Sequence, residues 1–223
     1  RAHELDRTLS QPLAGLAQAS LSRGLFRWAA PKAAFGEAAG HARAALALDP
    51  ADAYAMAALG VSSAYAGRPD EAHTLATRAT MLNPSSPRAS FALAVTCLWR
   101  GESEPAIQAA ERAIRMSAND PLQHIYLSAL SACLYSARQY ERAAEVSQLA
   151  AQRGPHYPMV WRGLANALGQ LGRTDEAKQA LARFLALVPG YTSEAVARGT
   201  VGFADEALFQ HYLEGLRLAG WPG

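Results

Sequence analysis

Six histidines, two cysteines and recurring acidic doublets are the residues of this 223-residue chain with the chemistry for metal binding or catalysis. His3, His41, His73, His124, His156 and His211 lie far apart, with no i, i+4 pair and no HExxH. That spacing gives a metal ion no shared helix face, and no metal or other cofactor is expected. Cys97 and Cys133 have neither a basic neighbour nor a helix start to lower a thiol pKa, and they read as small core residues. Asp70-Glu71 and Asp175-Glu176 fall at helix starts, where capping and the helix dipole account for them. GxxxxGK[ST], GxGxxG and GxSxG do not occur, so the segment is expected to be no enzyme.

The elements that carry these residues are helical. Alanine supplies roughly a fifth of the chain, 50% is hydrophobic, 8% aromatic and 18% charged. Prolines (12) and glycines (17) are too dispersed for collagen or a disordered linker. No apolar run approaches the length of a membrane span, and a cytoplasmic protein is the matching expectation. Arginine makes up 19 of the 21 basic residues, spread singly with no basic stripe, so no nucleic-acid partner is expected.

A period of 34 residues organises the chain. Ala72, Ala106, Ala143 and Ala177 are separated by 34, 37 and 34 residues. Seven residues after each stand Ala79, Ala113, Ala150 and Phe184. Twelve after each stand Pro84, Ala118, Pro155 and Pro189. Thirteen before each stand Leu59, Leu93, Leu130 and Leu164, followed directly by Gly60, Ala94, Ser131 and Ala165. Small residues are needed where two helices cross closely, because a branched side chain there would overpack by about 1–3 kcal/mol. Gly67, Gly101 and Gly172 mark turns that require positive φ; Arg138 stands where the third such glycine would be. The prolines stop each second helix.

This pattern resembles the tetratricopeptide repeat, a helical hairpin that stacks into a superhelix. The resemblance implies an all-α, alpha-alpha superhelix (solenoid) of about five hairpins plus C-terminal capping helices. The expected division is a leftover helix end at 1–9, an enlarged hairpin at 10–52, and regular repeats at 53–86 and 87–120. A three-residue slip at 121–123, repeats at 124–157 and 158–191, and a cap at 192–223 follow. In the enlarged unit the first helix is expected over about 11–29 and the second over about 34–48. At the slip, Asp120-Pro121 predicts a helix that starts early and gains about one turn. RAHELD at 1–6 is in register with the end of a second helix, so the repeat is expected to continue upstream, and an open half-hairpin there would favour homo-oligomers. In the last segment Phe209, Tyr212, Leu213 and Leu216 recur at helical spacing and predict an amphipathic helix covering the final repeat.

In repeats of this kind the first helices line an inner groove. The candidate groove residues are Tyr54, Tyr65, Arg88, Phe91, Trp99, Tyr135, Met159, Arg162, Asn166 and Gln170. Tyrosine, tryptophan and arginine are the side chains that concentrate binding energy at interfaces. The groove therefore predicts a protein or peptide partner, with residues merely packed by neighbouring helices as the alternative. Chaperone-binding repeats clamp a peptide carboxylate with basic and amide residues on successive first helices. Arg162 and Asn166 match that arrangement once, while Ala57, Val61, Phe91 and Val95 break it.

The order of units and the ending YLEGLRLAGWP (Tyr212–Pro222) resemble the C-terminal region of bacterial multidomain signalling proteins. In those, an adenylate/guanylate cyclase or a winged-helix domain precedes the repeats. The elongated first unit with Phe26 and Trp28 shares the resemblance. It implies a regulatory or assembly region contacting an upstream domain of the same chain. A stand-alone adaptor for a peptide and a small-molecule sensor using the groove are the alternatives.

Overall fold

The computed structural model describes residues 9–223, so all but the last residue of the expected helix end at 1–9 lies outside the described residues. Twelve helices and no strand are present among them. Five antiparallel hairpins come first: α1 (Gln11–Leu25) with α2 (Pro31–Leu48), α3 (Ala53–Tyr65) with α4 (Pro69–Leu82), and α5 (Pro87–Trp99) with α6 (Ser103–Arg115). They continue as α7 (Gln123–Ser136) with α8 (Tyr140–Arg153) and α9 (Pro158–Gln170) with α10 (Thr174–Leu187). A short α11 (Glu194–Arg198) and a final α12 (Glu206–Leu218) complete the chain.

The repeat positions do the work their size predicts. Ala72, Ala106, Ala143 and Ala177 have no exposed surface, and a β-carbon on Gly60 would stand 3.3 Å from the Ala72 carbonyl oxygen. At the third crossing the Ser131 hydroxyl instead donates to the Ala143 carbonyl at 3.1 Å, which satisfies a buried polar group between the helices. Asp52 accepts from the Tyr54 and Ala55 N–H groups to cap α3, and Ser86 accepts from Ala89 N–H to cap α5. Gly67, Gly101 and Gly172 take φ of 73°, 80° and 69°, and Arg138 takes 59° at the equivalent turn. The fold there overrides the side chain, at a cost of about 1–2 kcal/mol for a residue with a β-carbon.

Three helix starts and stops differ from the sequence expectation, the first being α2, which begins at Pro31 and not near 34 because a proline is accommodated in the first helical turn. Helix α1 ends at Leu25, not near 29, because Arg27 adopts φ 60° and Trp28 N–H turns back to the Arg23 carbonyl at 2.9 Å. The three-residue slip is not an extra helical turn. The Asp120 carboxylate accepts from Leu122 N–H at 2.8 Å, and this local turn holds the chain out of the helix until Gln123.

Helices α3, α5, α7 and α9 stack against one another and form the inner face, with α4, α6, α8 and α10 outside. Helix α1 packs along this inner row against α3. The C-terminal segment behaves similarly: α12 packs chiefly on α9, with smaller contacts to α10 and α7. It therefore caps the solenoid by turning inward.

Candidate functional site

The inner face is occupied from both ends by the chain itself. At the first end, Gln18 of α1 donates to the Tyr54 carbonyl at 3.2 Å and accepts from the Arg88 guanidinium at 3.0 Å. Arg88 also lies over the Tyr54 ring, 5.3 Å from its centroid. Phe91 is buried beside them, and Leu21 and Leu25 of α1 line the same recess. The turn after α1 reaches further: the Phe26 ring meets His124 at 5.7 Å and Tyr157 at 5.1 Å.

At the other end, residues 199–212 cross the inner row. Ala204 N–H donates to the Trp99 carbonyl at 2.8 Å. A β-carbon on Gly202 would overlap the Trp99 ring and stand 2.9 Å from the Ala64 carbonyl oxygen, so only glycine passes here. His211 stacks on Tyr135 with centroids 4.6 Å apart, and its Nε2 is 3.0 Å from the Tyr140 hydroxyl. The Tyr135 hydroxyl donates to the His211 carbonyl at 2.7 Å, and Gln170 donates to that same hydroxyl at 3.1 Å. Asn166 donates to the Tyr212 carbonyl at 3.3 Å. The tail is thus held by main-chain bonds from three first helices.

Between the tail and the first helices lies a cavity of about 70 Å³. Tyr65, Trp99, Tyr135, Met159, Arg162 and Asn166 line it from the inner row; Phe203, Leu208, His211 and Tyr212 line it from the tail. Arg162 stands over the Tyr212 ring at 5.1 Å. Burial pushes the Tyr65, Tyr135 and Tyr212 phenols up, so all three are neutral donors at physiological pH. Burial first, and then the positive charge of Arg138, lowers the His211 pKa.

Six of the ten expected groove residues therefore share one cavity, and Gln170 borders it through Tyr135. Tyr54, Arg88 and Phe91 sit apart, under α1. Sequence reasoning missed Phe203, Leu208, His211 and Tyr212, because nothing in an amphipathic tail says which face of a solenoid receives it. It also missed Arg27, whose left-handed turn is invisible without the fold.

Elsewhere, His73, Cys97 and Glu102 bring their ligand atoms within 4.8 Å of one another, with His73 Nδ1 3.8 Å from Cys97 Sγ. The sequence separation of the histidines concealed this group. Burial, and then the Glu102 charge, pushes the Cys97 thiol up to about 12, and the Arg100 guanidinium donates to Glu102 at 2.8 Å. The thiol is neutral and the carboxylate engaged, which is the opposite of an activated nucleophile.

Two family models, both described as tetratricopeptide repeat, match the chain: one over 58–121 and 98–158, the other over 134–197. Together they run unbroken over more than half of it. The chain belongs to the tetratricopeptide repeat family. Among solved structures, this tetratricopeptide repeat protein is similar to PilF of Pseudomonas aeruginosa, at 20% identity and a TM-score of 0.63, covering 96% of this chain and 92% of that one. It is similar to MamA of Desulfovibrio magneticus RS-1, at 17% identity and a TM-score of 0.55, covering 82% and 97%. YrrB, whose structure is described as having an unusual peptide-binding site, aligns at 15% identity and a TM-score of 0.52 over 96% of both chains. At these identities the likeness is one of fold. No curated protein matches the sequence. No helix among the described residues is long and apolar enough to cross a membrane.

Proposed function

We propose that this non-catalytic tetratricopeptide repeat scaffold is the regulatory or assembly region of a larger bacterial signalling protein. The observation that carries the reading is the tail on the inner face. A non-helical stretch of polypeptide, Val201–Ala204, is seated there with Ala204 N–H on the Trp99 carbonyl. A face that holds one segment of polypeptide by main-chain and aromatic contacts has the chemistry to hold a protein partner that displaces the tail, from upstream of the same chain or from another protein. The output domain proposed, a cyclase or a winged-helix domain, rests on the sequence resemblance of Tyr212–Pro222. Tyr212, Leu213, Leu216 and Trp221 of that stretch are buried, so its residues are framework and not linker.

The full-length gene product tests this. Hydrogen exchange is compared for residues 9–223 alone and within the full-length protein. Added protection over a contiguous surface of the solenoid, with a cyclase or DNA-binding sequence upstream, is the expected result. Identical protection in both, with no copurifying protein, would sink the reading.

A further inference from the structure

Arg162 is half-buried, and its guanidinium makes no ion pair or hydrogen bond among the described residues. Its Nη1 is cut off from solvent and has no hydrogen-bond partner among the described residues. No ion pair joins it or Arg27 to an aspartate or glutamate among those residues. The face of Tyr212 at 5.1 Å offsets part of the charge and none of the missing hydrogen bonds. Buried cations in proteins are paired, because an uncompensated one is costly.

Arg27 stands on the other side. It lines a small recess with Tyr65, Met159 and Thr200, and those three residues also line the main cavity. A non-glycine residue at φ 60° is held there by the surrounding structure against its own preference. Burial, and then repulsion from Arg162, lowers the Arg27 pKa; at Arg162 burial acts the same way, but the surrounding Tyr212, Tyr191, Tyr65 and Tyr157 outweigh it and the pKa is raised. Arg27 therefore faces an adjoining recess, with Tyr65, Met159 and Thr200 standing between it and the chamber that Arg162 lines. The Ser136 Oγ atom bordering that chamber is likewise buried without a hydrogen-bond partner among the described residues and is able to donate to an anion.

We infer that this chamber is a binding site for a small organic monocarboxylate, its oxygens taken by Arg162, with Arg27 adding positive charge from the adjoining recess. A guanidinium presents a planar fork that matches a carboxylate in two parallel bonds. Trp99, Met159, Phe203 and Leu208 supply apolar wall that suits a short hydrocarbon or aromatic body, beside the hydroxyl groups of Ser128, Ser136 and Tyr135. About 70 Å³ limits the ligand to a small molecule. A phosphate dianion would leave oxygens against those apolar walls, so the carboxylate is the better fit. Because the tail closes the groove over the chamber, the ligand is a free small molecule and not a peptide terminus. This goes beyond the scaffold reading and does not depend on it.

The test uses the 223-residue chain, with butyrate and benzoate as probes and inorganic phosphate and chloride as controls at matched ionic strength. Calorimetry and thermal unfolding are read on wild type, Arg162→Met and Arg27→Met. Saturable binding of butyrate or benzoate, with a rise in Tm, is expected for wild type and not for phosphate or chloride. Arg162→Met abolishes the response, and Arg27→Met raises Kd about tenfold or more, the worth of one charge-assisted interaction. Without ligand, Arg162→Met melts at or above the wild-type temperature, because it removes an uncompensated charge. Absence of saturable carboxylate binding, a tighter response to phosphate, or an affinity unchanged from wild type in either variant would overturn the site. An Arg162→Met protein that is unfolded or clearly less stable without ligand would overturn its premise.

Discussion

A β-carbon added to Gly169 of α9 would stand 2.5 Å from the carbonyl oxygen of Gly215 of α12. The two helices meet backbone to backbone, and on the other side the space above Gly215 is taken by the Tyr135 hydroxyl. Helix α12 can reach the inner face only because both crossing residues lack side chains. Gly169→Ala is expected to destabilise the protein by about 1–3 kcal/mol in urea unfolding, the usual cost of overpacking. Hydrogen exchange should locate the loosening in α12, leaving α3 to α8 protected; an unchanged α12 would refute the contact.

Gly202→Ala attacks the same tail at its non-helical part. The new methyl group meets the Trp99 ring and the Ala64 carbonyl, neither of which is the free end of a flexible chain. The expected outcome is release of residues 199–206, seen as faster proteolysis there and as a shift in tryptophan fluorescence.

Arg138→Gly should act in the opposite sense. Arg138 is exposed, makes no ion pair among the described residues and holds φ 59° where its counterparts are glycines. Relief of the left-handed strain, about 1–2 kcal/mol, exceeds the entropy that glycine adds to the unfolded chain, about 0.5–1 kcal/mol. A net gain of about 0.5–1 kcal/mol is expected in thermal or urea unfolding.

Stability should fall on the acid side of neutrality. Burial is the largest cause that lowers the His124 and His211 pKa values from the ordinary 6.5. Asp120 and the Pro121 carbonyl oppose this at His124; at His211 Arg138 reinforces it and Glu214 opposes it. A histidine pKa lowered in the folded state means that the unfolded chain binds the extra proton first. The contribution is complete above pH 6.5 and is lost as pH drops through the lowered folded values. Unfolding midpoints at pH 7.5 and 5.5 check this, and His211→Phe should shrink the difference between them.

The repeat itself was legible because its rules are local and steric. Ala72, Ala106, Ala143 and Ala177 stand at helix crossings where nothing larger fits, and the sequence states that requirement at a fixed interval. What covers the inner face was not, because Phe209, Tyr212, Leu213 and Leu216 specify an apolar stripe without specifying its partner. Two signals did point inward. Val61, Val95, Leu98 and Trp99 are too apolar for a wet groove, and all four are buried. Gly202 and Gly215 are glycines outside any turn, which mark close approach of another chain segment. The shortened α1 escaped notice because only the assembled fold can force Arg27 into a left-handed turn.

An ordinary solenoid is a linear array in which each unit touches its neighbours, so its ends can peel away one hairpin at a time. Here Ala204 is bonded to Trp99, and Phe26 reaches Tyr157, across more than a hundred residues of chain in each case. Such ties join distant units directly, and loss of any middle hairpin breaks contacts at both ends. The array has become a loop. Its melting should be concerted, a single sharp transition where an open array of the same repeats would unravel in steps.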